Sequence, residues 1–217
     1  MINIKMLIDQ YDLFIFDLDD TIVKTEYLHY KAWKEILNIN FSYEFYCSKF
    51  HSTDQYSIKN YLENELNIQD YKIQIDKKSK LFYDIINKEK DSLKLIDGLE
   101  DLLNLIILNN KKFVIVTNTL KLNLDFFIKL FPILNNSSKN YYQEMFTFKK
   151  PNPECYLLVI KDFPEERKIG FEDSITGLHS LTQVKEIDPI FINNNQYYYY
   201  DYIKLNYKNI KIIENYL

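Results

Sequence analysis

Apolar residues along this chain follow two rhythms in turn. Consecutive branched and aromatic residues at 11–16, 112–116 and 168–171 read as strands buried on both faces, the kind found in parallel sheets covered by helices. Between them the spacing changes to three and four. Leu99, Leu102, Leu103, Ile106 and Ile107 share one helical face, residues 122–130 form an apolar-rich helix stopped by Pro132, and Tyr156, Leu157 and Ile160 follow Pro153. Leu178 and Leu181 mark one more helix after Gly170-Phe171, Met145-Phe146 stands where a strand would lead into Lys150, and residues 189–192 and 210–213 read as edge strands. This alternation predicts an α/β fold, a doubly wound parallel sheet of Rossmann-like type with right-handed crossovers.

One stretch breaks the alternation. A helix is predicted over residues 26–37, with Ala32, Trp33, Ile36 and Leu37 on one face and Lys31, Lys34 and Glu35 on another. Polar, aromatic-rich sequence from Asn38 leads to Phe50-His51-Ser52-Thr53-Asp54. Ile58, Tyr61, Leu62 and Leu66 then recur at helical spacing, and Leu81, Phe82, Ile85 and Ile86 do so again. No strand pattern intervenes. The expected organisation is a core formed by residues 1–24 and 95–217, interrupted by a helical cap at 25–94.

Composition narrows the classes. With 217 residues, 47% hydrophobic and 27% charged, the chain can bury a core and a small second unit. Its formal net charge of −4 argues against a nonspecific nucleic-acid partner, and no run of apolar residues reaches membrane-spanning length. Lys5 and Asp9 interrupt the apolar stretch at 1–10, unlike a secretory signal. Cys47 and Cys155 lack metal-ligand spacing and read as free thiols in a reducing, cytoplasmic compartment. The 19 tyrosines against 3 glycines indicate compositional drift, so the run at 197–200 reads as a surface loop, with a stacking platform as the alternative. The same scarcity makes Gly98, Gly170 and Gly177 informative, the last two because they bracket Glu172-Asp173 where the backbone must turn or be approached closely.

The chemistry collects at the predicted strand ends, where ligand sites of open α/β sheets lie. Phe16 is followed by Asp17-Leu18-Asp19-Asp20-Thr21. One carboxylate at such a position can act as a nucleophile and hold a cation, while a second moves protons; an acidic turn that aids solubility is the plain alternative. Thr117-Asn118-Thr119 offers hydroxyl and amide groups for phosphate oxygens, unless Thr117 is only a strand-end hydroxyl. Lys150 precedes Pro151, which keeps its backbone extended, and Lys149 is its rival. Glu172-Asp173 can serve as cation ligands or as caps for the helix after Ser174. An oxygen-only set of carboxylates suits Mg²⁺ better than Zn²⁺.

In the order Asp17, Asp19 and Thr21, then Thr117, then Lys150, then Glu172 and Asp173, these residues resemble the four motifs of the haloacid dehalogenase superfamily. Thr25-Glu26-Tyr27, His29, Ala32-Trp33 and Phe171-Glu172-Asp173-Ser174-Ile175-Thr176-Gly177 are similar to the subgroup containing β-phosphoglucomutase and sugar-phosphate phosphatases. The resemblance implies a magnesium-dependent phosphomonoesterase acting on a small phosphorylated metabolite through a phospho-Asp17 intermediate. It further implies Asp19 as acid and base, Lys150 as the fixed cation, and Thr117 with Asn118 and Thr21 on the phosphate. Asp17, the Asp19 carbonyl, Asp173 and Glu172 are implied around the metal, and His29 and His51 of the cap toward substrate, although His29 also reads as a half-buried helix residue.

Departures from the subgroup bear on the mutase alternative. Lys24 stands where an acidic residue is common, Thr21 where the mutase has valine, and Thr53 near the place of an arginine that grips a second phosphate. Arg167 is the sole arginine, and Lys49 or His51 would substitute without its two-pronged geometry. A non-enzymatic receiver module also groups acids, a Thr and a Lys around a phosphorylated Asp, but it divides the acids between strands and has no cap. Oligomeric state is left open by the sequence.

Overall fold

The computed structural model describes residues 4–51, 53–193, 197–208 and 210–217, and among the described residues no helix is long and apolar enough to cross a membrane. In chain order the elements are α1 Ile4–Gln10, β1 Leu13–Phe16, α2 Glu26–Leu37, α3 Tyr43–Lys49, α4 Gln55–Asn60, α5 Tyr71–Lys88, α6 Leu99–Leu108 and β2 Lys112–Val116. Then come α7 Lys121–Leu130, β3 Lys139–Tyr141, α8 Glu154–Asp162, β4 Lys168–Glu172, α9 Ile175–Thr182, β5 Ile187–Ile192, α10 Tyr197–Asn206 and β6 Lys211–Ile213. Two compact units result, Met1–Val23 with Leu95–Leu217, and Lys24–Lys94.

The first unit is built on a six-stranded parallel sheet of order β3-β2-β1-β4-β5-β6, with helices on both faces. Strand β1 is buried throughout because its neighbours pair on each edge and its side chains alternate between two covered faces. Leu13 and Ile15 join Val114, Val116, Tyr156, Val159 and Leu181 in one cluster. On the other face the Phe16 ring stacks on Phe171 at 4.8 Å and meets Phe113 edge-on at 6.4 Å. Complete burial of such side chains is worth about 1.5–3 kcal/mol each and holds the strand ends rigidly. Gly170 has a local reason: a Cβ there would come within 2.7 Å of the Leu181 side chain packed on the sheet.

Several expectations need correction. Tyr11 lies outside β1, which starts at Leu13 after helix α1. Met145-Phe146 is not the strand leading to Lys150: Gln143–Met145 is a short 3-10 turn, and the strand is β3, upstream at the sheet edge. Strand β5 is interior, flanked by β4 and β6, so only the 210–213 segment sits at an edge. The 197–200 run opens helix α10 instead of forming a loop. Ser52, within the predicted cap, lies outside the described residues.

All the elements of the Lys24–Lys94 unit among the described residues are helical, with one π-helical turn at Tyr61–Glu65. Trp33, Tyr46, Phe50, Ile58, Tyr61 and Leu62 form its core, where Trp33 stacks on Phe50 at 4.6 Å. Asp54 caps α4 by accepting from the Tyr56 and Ser57 amides. Cys47 and Cys155 are both buried free thiols.

Candidate active site

Parallel registration of β1 with β2 and β4 ends at Phe16 opposite Ile115 and Phe171, so the next residues, Asp17, Val116 and Glu172, arrive side by side. The Asp17 amide donates to the Phe171 carbonyl at 3.1 Å, which extends the ladder one step beyond the strand. The chain then folds back on itself. Ile22 and Val23 both donate to the Leu18 carbonyl, at 2.8 and 3.1 Å, and Asp20 takes a positive φ of 53° inside this turn. Asp17 is thereby held in the interior, 8% exposed, while Asp19 remains partly accessible.

Lys150 arrives from the segment before α8. Its backbone is clamped by Asn118, whose Oδ1 accepts from the Lys150 amide at 3.0 Å and whose Nδ2 donates to the Lys150 carbonyl at 3.3 Å. Its ammonium donates to Asp17 Oδ1 at 2.6 Å, Glu172 Oε1 at 2.6 Å and the Val116 carbonyl at 2.7 Å. All three protons are engaged, so the cation is fixed at one point. Lys149 is half-buried, and the residue touching proline is the one in the site.

Asp17, Glu172 and Asp173 each offer a carboxylate oxygen, all within 4.8 Å of one another. Three buried carboxylates face one ammonium, an imbalance that a divalent cation would correct. Glu172 Oε2 is buried and has no hydrogen-bond partner among the described residues, and an all-oxygen donor set suits a hard ion. The residues present therefore fit a divalent metal. Gly177 leaves space at this point, since a Cβ there would fall 1.9 Å from Glu172 Oε2. Ser174 caps the helix that follows, its side chain accepting from the Gly177 amide at 3.0 Å.

Electrostatics follow from this crowding. Burial raises the Asp17 carboxyl well above the usual range; Lys150 opposes the rise and Glu172, Asp173 and Asp19 add to it. For Lys150, burial works against the charge, but Asp17 and Glu172 outweigh it and hold the ammonium above its ordinary value. A second cation beside these groups would favour the ionised form of Asp17 that a nucleophile needs.

The structure brings together Asp17, Thr21, Lys150, Glu172 and Asp173, with Thr117 and Asn118 at the adjoining end of β2. Thr21 donates to Asp173 Oδ1 at 3.3 Å, and Thr117 Oγ1 accepts from the Thr119 amide at 3.0 Å. Asp19 Oδ2 accepts from Thr119 Oγ1 at 2.6 Å. In the other unit, His29 stacks on Phe82 at 3.9 Å with Nδ1 2.5 Å from Lys78 Nζ, and His51 is buried with Nε2 3.8 Å from Glu26. The buried Tyr46 hydroxyl donates to Glu26 as well, and burial followed by that carboxylate drives its pKa well up.

Two contacts of the site are not visible in the sequence. Tyr156 was grouped with the apolar face of its helix, yet its hydroxyl donates to Glu172 Oε1 and its ring lies 5.2 Å from the Lys150 ammonium. The available signal was the hydroxyl itself, which needs a partner when buried. Thr119 was visible as part of the cluster but not as the partner of Asp19.

A buried carboxylate, a lysine fixed beside it and a cluster of three acidic side chains thus meet at the strand ends of a parallel α/β sheet, the place where such folds carry their ligand sites. The model of the haloacid dehalogenase-like hydrolases matches residues 14–184, and the chain belongs to that family. Among solved structures, it is similar to a family IA, variant 3 hydrolase of that superfamily from Entamoeba histolytica, at 23% identity and TM-score 0.78, covering 94% of this chain and 93% of that one. A mutant CbbY from Rhodobacter sphaeroides in complex with xylulose-1,5-bisphosphate shares 19% identity at TM-score 0.75, with 95% of each chain covered. β-Phosphoglucomutase from Clostridium difficile shares 19% at TM-score 0.67, covering 94% and 91%. These likenesses establish the fold. No curated protein sequence shows significant similarity to the chain.

Proposed function

We propose that this hydrolase is a magnesium-dependent phosphomonoesterase for a small phosphorylated metabolite. The observation that carries the reading is the Asp17 carboxylate, buried at a strand end, fixed by Lys150 at 2.6 Å and set among Glu172 and Asp173. Asp17 attacks phosphorus; the new bond joins its carboxylate oxygen to the phosphoryl group as the ester P–O bond breaks, and Asp19 protonates the leaving oxygen. Water then attacks the aspartyl-phosphate, Asp19 takes its proton, and phosphate departs with Asp17 regenerated. Lys150 neutralises charge between Asp17 and the incoming phosphate, and the Thr117 and Asn118 segment holds the transferring oxygens. Asp17, the Asp19 carbonyl, Asp173 and Glu172 would hold a Mg²⁺ ion, which would supply charge neutralisation between nucleophile and phosphate.

The screen that tests this measures phosphate release from sugar phosphates, nucleotides and phosphoglycolate. Turnover of at least one ester in Mg²⁺, its loss in EDTA and its return on adding Mg²⁺ are expected; full turnover in EDTA overturns the reading. The mutase alternative is disfavoured by Arg167, which donates to Asp12 at 2.8 and 3.1 Å before β1 and β4, at the opposite end of the sheet from Asp17. A reaction on glucose-1-phosphate that requires glucose-1,6-bisphosphate would reverse that order. His29 and His51 are the candidates for choosing among substrates, and the buried thiols Cys47 and Cys155 fit a reducing cytoplasm.

Asp19 gives a second test. Removing it in Asp19→Ala is expected to slow alkyl phosphates by roughly 10²–10⁴-fold, because their poor leaving groups need the proton. p-Nitrophenyl phosphate should lose far less. Equal losses for both substrate types, measured as kcat/KM, would remove the acid role.

A further inference from the structure

We infer that Tyr216 is a positioning residue of this site, acting through Thr21 on Asp173. The inference rests on the phosphotransfer reading above but concerns a residue from the segment after β6, far from every motif in sequence. The Tyr216 side chain is 3% exposed, and its hydroxyl donates to the Thr21 carbonyl at 3.0 Å. Its ring meets Phe16 edge-on at 6.0 Å and Phe171 at 5.6 Å, the residues directly before Asp17 and Glu172. Thr21 is fully buried and passes the constraint on, since its own hydroxyl donates to Asp173 Oδ1 at 3.3 Å. One phenol thus touches the ends of β1 and β4 and the turn between Asp17 and Val23.

The backbone around Tyr216 is pinned separately. Its amide donates to the Asp97 carbonyl at 3.0 Å, and Gly98, at φ +80°, lies so close that a Cβ would fall 2.6 Å from the Tyr216 carbonyl carbon. The segment therefore also ties the Thr21 turn to the point where the chain re-enters the sheet unit. Beside Tyr216 there is a cavity of about 400 Å³, bordered also by Leu7, Leu102, Ile212 and Ile213. Burial, followed by Asp173, Asp17 and Glu172, drives the phenol pKa well up, which keeps the group a donor.

Tyr216→Phe removes the hydroxyl and keeps the ring. A fall in kcat of about tenfold is expected with KM changed less than about twofold, as for loss of one buried bond to the turn. Mg²⁺ affinity, read by titration calorimetry without substrate, should weaken about fivefold. In Thr21→Val, which cuts the link to Asp173, adding Tyr216→Phe should cost less than about twofold more. Unchanged kcat and metal affinity, or a lower melting temperature alone, overturns the inference, as does full additivity of the two changes. Calorimetry keeps the outcome separate from the phosphatase reading: a parent that binds Mg²⁺ yet hydrolyses no ester sinks that reading and leaves the Tyr216 comparison standing.

Discussion

Asp17→Asn should reduce turnover by about four orders of magnitude or more while leaving the fold intact, because the substitution removes the attacking oxygen's charge and almost nothing else. The amide oxygen of asparagine can still accept from Lys150, which keeps its contacts to Val116 and Glu172. Asparagine also takes one carboxylate out of a buried group in which three surround one ammonium, so the metal-free variant should melt at or above the parent temperature. The checks are steady-state phosphate release, a thermal melt in EDTA, and acid-quench mass spectrometry of the protein during turnover. The parent should carry a phosphoryl adduct on the Asp17 peptide and the variant none. Near-parent turnover in Asp17→Asn, or an adduct on another residue, would end the assignment of the nucleophile.

How far the sequence revealed this site depended on whether each residue announced itself locally. Asp17, Thr117 and Glu172 each follow an unbroken apolar run, and a parallel sheet brings the ends of such runs together; position and chemistry were legible at once. Lys150 was legible through Pro151, but the strand before it was misplaced. Strand β3 is Lys-Asn-Tyr at a sheet edge, where only its tyrosine is fully buried, so it has no apolar run to announce it, whereas Met145-Phe146 is apolar and belongs to a 3-10 turn and its exit. The 189–192 run reads from sequence as an edge strand, yet β5 pairs on both sides, with β4 and β6. The helix opened by Tyr197 failed to show because four consecutive tyrosines have neither helical nor strand rhythm. Tyr156 and Tyr216 were illegible for another reason: their roles arise from contacts with Glu172 and Thr21, across 16 and 195 positions, which no local pattern encodes.

Lys150→Met should be damaging twice over, and the two losses should separate. Methionine fills similar volume without the charge, leaving Asp17 and Glu172 buried with neither ion pair nor the donor both share. Breaking a buried pair from one side costs about 3–5 kcal/mol, which for a chain of this size lowers the melting temperature by roughly 10 °C. Turnover should fall by roughly 10²–10³-fold in addition, as expected when a fixed positive group beside the transferring phosphate is lost. The double variant Lys150→Met/Glu172→Gln then tells structural from chemical effects. Removing one orphaned carboxylate should recover a good part of the melting temperature, while turnover stays low because no cation faces Asp17. Lys150→Arg should restore neither fully: the three acceptors surround a point ammonium at 2.6–2.7 Å, and a planar guanidinium cannot meet all three from one position. A Lys150→Met protein that melts with the parent would mean the carboxylates are not held by this charge, and one that also turns over normally would remove Lys150 from the mechanism.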